Sequence, residues 1–106
     1  MKEIIAIIRP NKVAETKDAL SKAGLPAFTG RTVRGRGKES VDITLPNHII
    51  MKTNMMQKRE LIIVVEDDIV SKVVELIMNV NSTGNAGDGK IFVLPVLDSY
   101  TISSKL

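Results

Sequence analysis

The chain has 106 residues, 43% hydrophobic but only 3% aromatic, with a formal net charge of +3, so it forms a single domain whose modest core is filled by aliphatic side chains. It has no cysteine and one histidine, His48, which excludes disulfides, thiolate nucleophiles and sulfur-ligated metals and leaves no inventory for a catalytic triad. The slight positive surplus suits an anionic ligand and is too small to indicate nucleic acid.

In chain order, Glu3–Arg9 is an isoleucine-rich apolar run that stops at Pro10 and reads as a strand. Asn11–Gly24 follows with helix formers, apolar residues near helical spacing and a terminal glycine, so it reads as a helix. Thr29–Arg36 is the second strand. Gly37–Gln57 shows no convincing periodicity and is long for a hairpin connection, so it is expected to be a functional loop. The alternative is that its apolar residues, Ile49, Ile50, Met51, Met55 and Met56 among them, prolong the flanking strands into a β-ribbon. Glu60–Val65 is the third strand. Asp67–Val80 is a second helix, with Ile69, Val70, Val73, Val74, Leu76 and Ile77 on one face, and Lys90–Leu97 is the last strand.

The two halves repeat one grammar, with Ile4–Ile8 answering Leu61–Val65. The order βαββαβ predicts an α+β, ferredoxin-like sandwich in which two helices cover one face of an antiparallel sheet. Ile5, Ile7, Ile62 and Val64 would then lie on the open face, which predicts self-association. The apolar runs are too short to cross a bilayer and the start lacks the layout of a signal peptide, so the expectation is a cytosolic protein with no direct membrane insertion.

Between the second helix and the last strand lies Thr-Gly-Asn-Ala-Gly-Asp-Gly-Lys, residues 83–90. Gly84, Gly87 and Gly89 permit backbone conformations in which N–H groups converge on an anion, and Lys90 adds a point charge. Locally, the same residues serve equally as an ordinary connection after a helix. Asp88 and Lys90 offer an acid and a base, but nothing in the sequence orients them or supplies a nucleophile, so no catalytic residues are assigned.

Taken together, the βαββαβ order, Ile-Ile-Arg-Pro ending the first strand, Gly-Arg-Gly-Lys opening the long loop, and the segment from Thr83 to Val93 resemble the PII nitrogen-regulatory signalling family over nearly the whole chain. The resemblance implies a trimer that binds ATP or ADP between subunits, with 2-oxoglutarate beside the nucleotide and a loop that signals to a partner. Carried over, it puts Thr29, Gly35, Gly37, Lys38, Val64, Gly87, Asp88, Gly89 and Lys90 around the nucleotide and Lys58 on the 2-oxoglutarate carboxylate. Pro46, His48, Ile49, Ile50, Met51 and Lys52 become the partner-binding part of the loop.

Four positions depart from the family pattern. The loop has no tyrosine, and Met51 stands at the uridylylation position. Glu39 replaces a glutamine that helps hold Mg²⁺ and 2-oxoglutarate; its carboxylate suits a metal but repels a dicarboxylate. Thr101 and Ser103 stand where the family has phosphate-binding arginines, with Lys105, Arg34 and Arg36 as candidate substitutes. Gly-Arg-Gly-Lys, Leu-Pro-Ala-Phe-Thr at 25–29 and the tyrosine-free loop are similar to the nitrogenase-associated branch, whose members work in pairs and inhibit the dinitrogenase component. That implies a homotrimer or a mixed oligomer with a homologue. An ammonium transporter is the alternative partner, and an RNA-binding ferredoxin-like domain the alternative of another class; Phe28, Phe92 and Tyr100 are its only aromatics and form no stacking motif.

Overall fold

Along the first strand, β1 (Lys2–Ile8), Ile4, Ala6 and Ile8 are buried while Ile5 and Ile7 are only partly so. This period-two pattern gives the sheet one covered and one open face. The computed structural model describes residues 1–103, with side chains at all of these positions except 38–41, 43 and 51–54. After a 3-10 turn at Pro10–Lys12, α1 (Val13–Lys22) returns over the sheet and ends in a Schellman motif. Gly24 adopts φ 80° while the Leu25 amide reaches back to the Leu20 carbonyl at 2.9 Å.

The next two strands, β2 (Thr29–Thr44) and β3 (Ile50–Val65), are 16 residues each. A second 3-10 turn, Asp67–Ile69, leads into α2 (Val70–Asn81), and β4 (Gly89–Pro95) closes the sheet in the order β2-β3-β1-β4, every pair antiparallel. The ferredoxin-like expectation is met. Ile4, Ala6, Ile8, Leu61 and Ile63 meet Leu20 of α1 and Val73 and Ile77 of α2 in one core. The helices are also joined by a buried polar tie, Asn81 Nδ2 donating to Thr16 Oγ1 at 3.0 Å. Among the described residues, no helix is long and apolar enough to cross a membrane.

The segment 37–57 is a β-ribbon for most of its length, so the strand-extending alternative holds and the expected loop is confined to the turn between Thr44 and Ile50. Val41, Ile43, Thr44, Ile50 and Thr53 are β-branched and favour strand. No apolar alternation marks the segment, because a ribbon that leaves the body has no core face to pattern. The turn is local chemistry. The His48 amide donates to the Leu45 carbonyl at 2.9 Å, the Leu45 amide to Ile49 at 2.8 Å, and His48 takes φ 65°, as in a three-residue hairpin loop ending in a left-handed position.

At its root the ribbon loses register. Arg36 pairs with Met55 and Val41 with Thr53, so residues 37–40 stand opposite Asn54 alone. The ribbon stretches the chain to 58 Å along its longest axis, against 25 and 23 Å across.

Candidate functional site

The connection from α2 to β4 is built around Asp88. Its carboxylate accepts the Thr83 amide at 2.7 Å, the Gly84 amide at 3.0 Å and the Thr83 hydroxyl, closing a ring over residues 83–88. The bonds from the Thr83 hydroxyl and amide, helped by the Gly84 amide and by Arg9, hold the carboxyl below the usual carboxylate range. Gly84 and Gly87 take φ 78° and 93° inside this ring and Gly89 takes φ 113° as the chain enters β4. Those backbones belong to the left-handed region that glycine occupies without penalty.

From the end of β1, Arg9 fastens the turn to the sheet. Its Nε donates to the Gly87 carbonyl at 3.1 Å and its Nη2 to the Ala86 carbonyl at 2.7 Å, with Nη2 also 3.3 Å from Asp88 Oδ1. Lys58 of β3 is buried and donates to the same Gly87 carbonyl. Burial, reinforced by the Arg9 charge and opposed by Asp88, lowers the Lys58 ammonium below the ordinary lysine value. Two cations therefore converge on one neutral oxygen, an environment that favours an added anion.

Beside this cluster is a cleft of about 500 Å³ on the open face of the sheet, at the root of the ribbon. Gly35, Gly37, Lys58, Gly87, Gly89 and Lys90 line it together with Ile7, Arg36, Met56, Ala86 and Phe92. Lys90 Nζ lies 5.9 Å from the Phe92 ring centroid, close enough for a cation–π contact. The amides of residues 83–85 are engaged within the turn, by Asp88 or by the Thr83 hydroxyl. Any amide presented to a ligand must come from farther along, next to the cleft.

Six of the residues expected at a nucleotide or 2-oxoglutarate site are thus gathered in one place. Asp88 stands beside them, but its oxygens are occupied by the turn, which makes it a builder of the cradle. Thr29 and Val64 do not join the cleft within one chain. Thr29 pairs with Ile62 while Gly35 pairs with Met56, so six residues of strand, about 20 Å, separate the two ends. Val64, 49% exposed, borders a different cleft of about 310 Å³ with Leu25 and Ile69. The side chains of Lys38, Glu39, Met51 and Lys52 lie outside the described residues, as does Lys105.

Of the substitute cations, Arg36 borders the cleft. Arg34 pairs with Gln57, farther from the ribbon, and does not line the cleft. Thr101 and Ser103 are exposed in the segment after β4. At the far end of the ribbon, Pro46, His48, Ile49 and Ile50 are exposed, the two isoleucines by 57% and 63%. Among the described residues no three of His, Asp and Glu group as a metal site. Arg9 and Phe92 were not assigned from sequence. For Arg9 the available signal was a cation placed directly between a strand end and a proline.

The family model described as "Nitrogen regulatory protein P-II" matches residues 1–105. Among curated relatives, "Nitrogen fixation nifHD region GlnB-like protein 1" of Methanothermococcus thermolithotrophicus is 47% identical over 102 residues, covering 96% of this chain and 93% of the relative. "Nitrogen fixation nifHD region GlnB-like protein 2" of Methanothermobacter marburgensis is 44% identical over 111 residues, covering 96% and 92%. The protein of the same description from Methanococcus maripaludis is 43% identical over 111 residues, also covering 96% and 92%.

Proposed function

Because the chain belongs to the nitrogen regulatory protein P-II family, we propose that it is a non-catalytic signalling protein that binds ATP or ADP in the cleft at the ribbon root, takes 2-oxoglutarate at Lys58, and uses the ribbon tip to inhibit nitrogenase. One observation carries this reading. Gly37 both lines the cleft and opens the stretch where residues 37–40 face Asn54 alone, so a ligand there touches the point at which the ribbon's geometry is set. Two ligands that prefer different arrangements of this root would bias the tip between states by their differential binding.

Lys90 and Lys58 supply the charge for phosphate and carboxylate, and Gly35, Gly37 and Gly87 keep the walls free of side chains. Thr29 and Val64 complete the nucleotide site from a second copy, because about 20 Å of strand keeps them from reaching it within one chain. The half-exposed Val64 and Phe92 on the open face supply apolar surface for that assembly, a homotrimer or a mixed trimer with a homologue. Thr101 and Ser103 bring no charge. A hydrogen bond from a charged group contributes roughly 1.5–3 kcal/mol, so two missing arginines make nucleotide affinity weak unless Arg36 or a partner chain compensates. Mg²⁺ would accompany ATP, with Glu39 as its ligand.

Support for this target comes from the relatives, whose names place them in the nifHD region and in nitrogen fixation. Ile49 and Ile50 at the tip offer an apolar contact, and Lys52 is the nearest lysine in sequence. Calorimetry of the purified protein with ATP, ADP and 2-oxoglutarate tests the ligand reading; no heat with any of them, alone or mixed with a paired homologue, refutes it. Affinity capture from nitrogen-fixing cells tests the target. Recovery of the dinitrogenase component supports the proposal, whereas recovery of an ammonium transporter in its place selects the channel-regulator alternative.

A further inference from the structure

Arg9 and Lys58 hold the same oxygen by different means. Arg9 uses a planar fork that reaches the carbonyls of Ala86 and Gly87 at 2.7 and 3.1 Å and approaches the carboxylate of Asp88 at 3.3 Å, so it touches three consecutive residues of the turn. Among the described residues, Lys58 donates to Gly87 alone. A guanidinium keeps its charge and its fixed donor geometry in any surroundings, whereas an ammonium on a flexible stem turns readily from one acceptor to another. Lys58 is also the poorly satisfied member of the pair, since its charge is buried beside another cation against a neutral acceptor. A carboxylate entering the cleft therefore offers Lys58 a better partner than Gly87 does.

Withdrawal of Lys58 would leave the Gly87 carbonyl, in a residue at φ 93°, with Arg9 as its remaining side-chain donor among the described residues. The turn and the guanidinium are in close contact there, a Cβ built on Gly87 falling 3.3 Å from Arg9 Nη2. We infer that Arg9 is the positioning residue of the phosphate-binding turn, holding Ala86 and Gly87 in place so that Lys58 can leave for an anionic ligand without the cradle losing its shape. The inference rests on the reading that a nucleotide and a dicarboxylate meet in this cleft. It adds that Arg9, which need not touch either ligand, decides whether the two bind together or against each other.

The test is calorimetry of ATP binding with and without saturating 2-oxoglutarate, on the unsubstituted chain, Arg9→Gln and Arg9→Lys, with circular dichroism to verify folding. In the unsubstituted chain 2-oxoglutarate leaves ATP affinity unchanged or tightens it. In Arg9→Gln each ligand weakens the other by at least about tenfold, equivalent to about 1.4 kcal/mol of coupling. Arg9→Lys lies between, because an ammonium replaces one contact but not the fork. Unchanged ATP affinity and unchanged response to 2-oxoglutarate in Arg9→Gln overturn the inference; if that variant does not fold, the same result in Arg9→Lys does so. An unsubstituted chain that binds ATP but no 2-oxoglutarate overturns the role given to Lys58. One that binds no ATP refutes the functional reading, and this inference with it.

Discussion

Gly89→Ala examines the junction of cradle and sheet directly. Gly89 enters β4 at φ 113° opposite Ile8, and a Cβ built there would overlap the Ile7 carbonyl oxygen and stand 3.0 Å from the Ile7 carbonyl carbon and 3.3 Å from Ile8 Cα. All three neighbours are backbone of β1, one of the two inner strands of the sheet, so none can swing aside. The left-handed backbone alone costs about 1–2 kcal/mol with a side chain present. Separating β4 from β1 at this end also forfeits one or two ladder bonds at about 1 kcal/mol each. The expected loss is about 2–4 kcal/mol out of the roughly 5–15 kcal/mol available to a domain of this size. In urea this is a shift of the midpoint by about 2 M. The measurement is made at one fixed protein concentration, because assembly would make the midpoint depend on it. Gly35→Ala is the control: nothing lies within 4 Å of the Cβ it adds, so its midpoint should match the parent while its methyl group intrudes on the cleft. A Gly89→Ala midpoint within 0.3 M of the parent, a margin of about 0.5 kcal/mol, would refute the argument from close approach.

His48→Gly removes the left-handed strain at the ribbon tip and should strengthen the turn by about 0.5–1 kcal/mol, read as slower hydrogen exchange at the Leu45 amide; faster exchange contradicts the assigned turn. Asp88 has a depressed carboxyl, so the stability it gives the turn is present above the unfolded carboxylate value and is lost as pH falls through the lower folded value. The Thr83 and Gly84 amide resonances should therefore titrate in acid, and Asp88→Asn should remove that titration; amides that titrate unchanged in the variant would point to another group. Lys58 has the opposite sign. Its lowered value means that folding opposes its charge at neutral pH, a penalty relieved as pH rises through the folded value. Lys58→Met should accordingly unfold no earlier than the parent at pH 7, with the difference shrinking in alkali, and should give no heat with 2-oxoglutarate. A midpoint lowered by the equivalent of more than about 1 kcal/mol would mean that the bond to Gly87 outweighs burial.

The body of the fold was legible because each of its elements has a face to bury. Ile4, Ala6 and Ile8 alternate, Val73 and Ile77 repeat at helical spacing, and both patterns follow from the same core. The ribbon between residues 37 and 57 has no such face, so its strands left no periodic trace and only Pro-Asn-His marked its turn. At the site, glycines and lysines showed where an anion could be accommodated, but not how the turn is held. Asp88 read as a ligand-facing group because sequence shows its charge and not the three donors around it. Arg9 escaped assignment for a related reason: its partners are backbone carbonyls 77 and 78 residues away, and a carbonyl has no letter in the sequence.

The unequal register at the ribbon root has a mechanical consequence. From Val41, where pairing resumes beyond the four residues that face Asn54, four residues of strand, Val41–Thr44, lead to the turn that carries Ile49, a lever arm of about 13 Å. Rotating that arm by about 15° sweeps Ile49 through about 3.5 Å, on the order of the separation between contacting carbon atoms. Adjustments of an ångström or less where Gly37 meets the cleft are thereby magnified into the difference between a seated and an unseated contact at the far end.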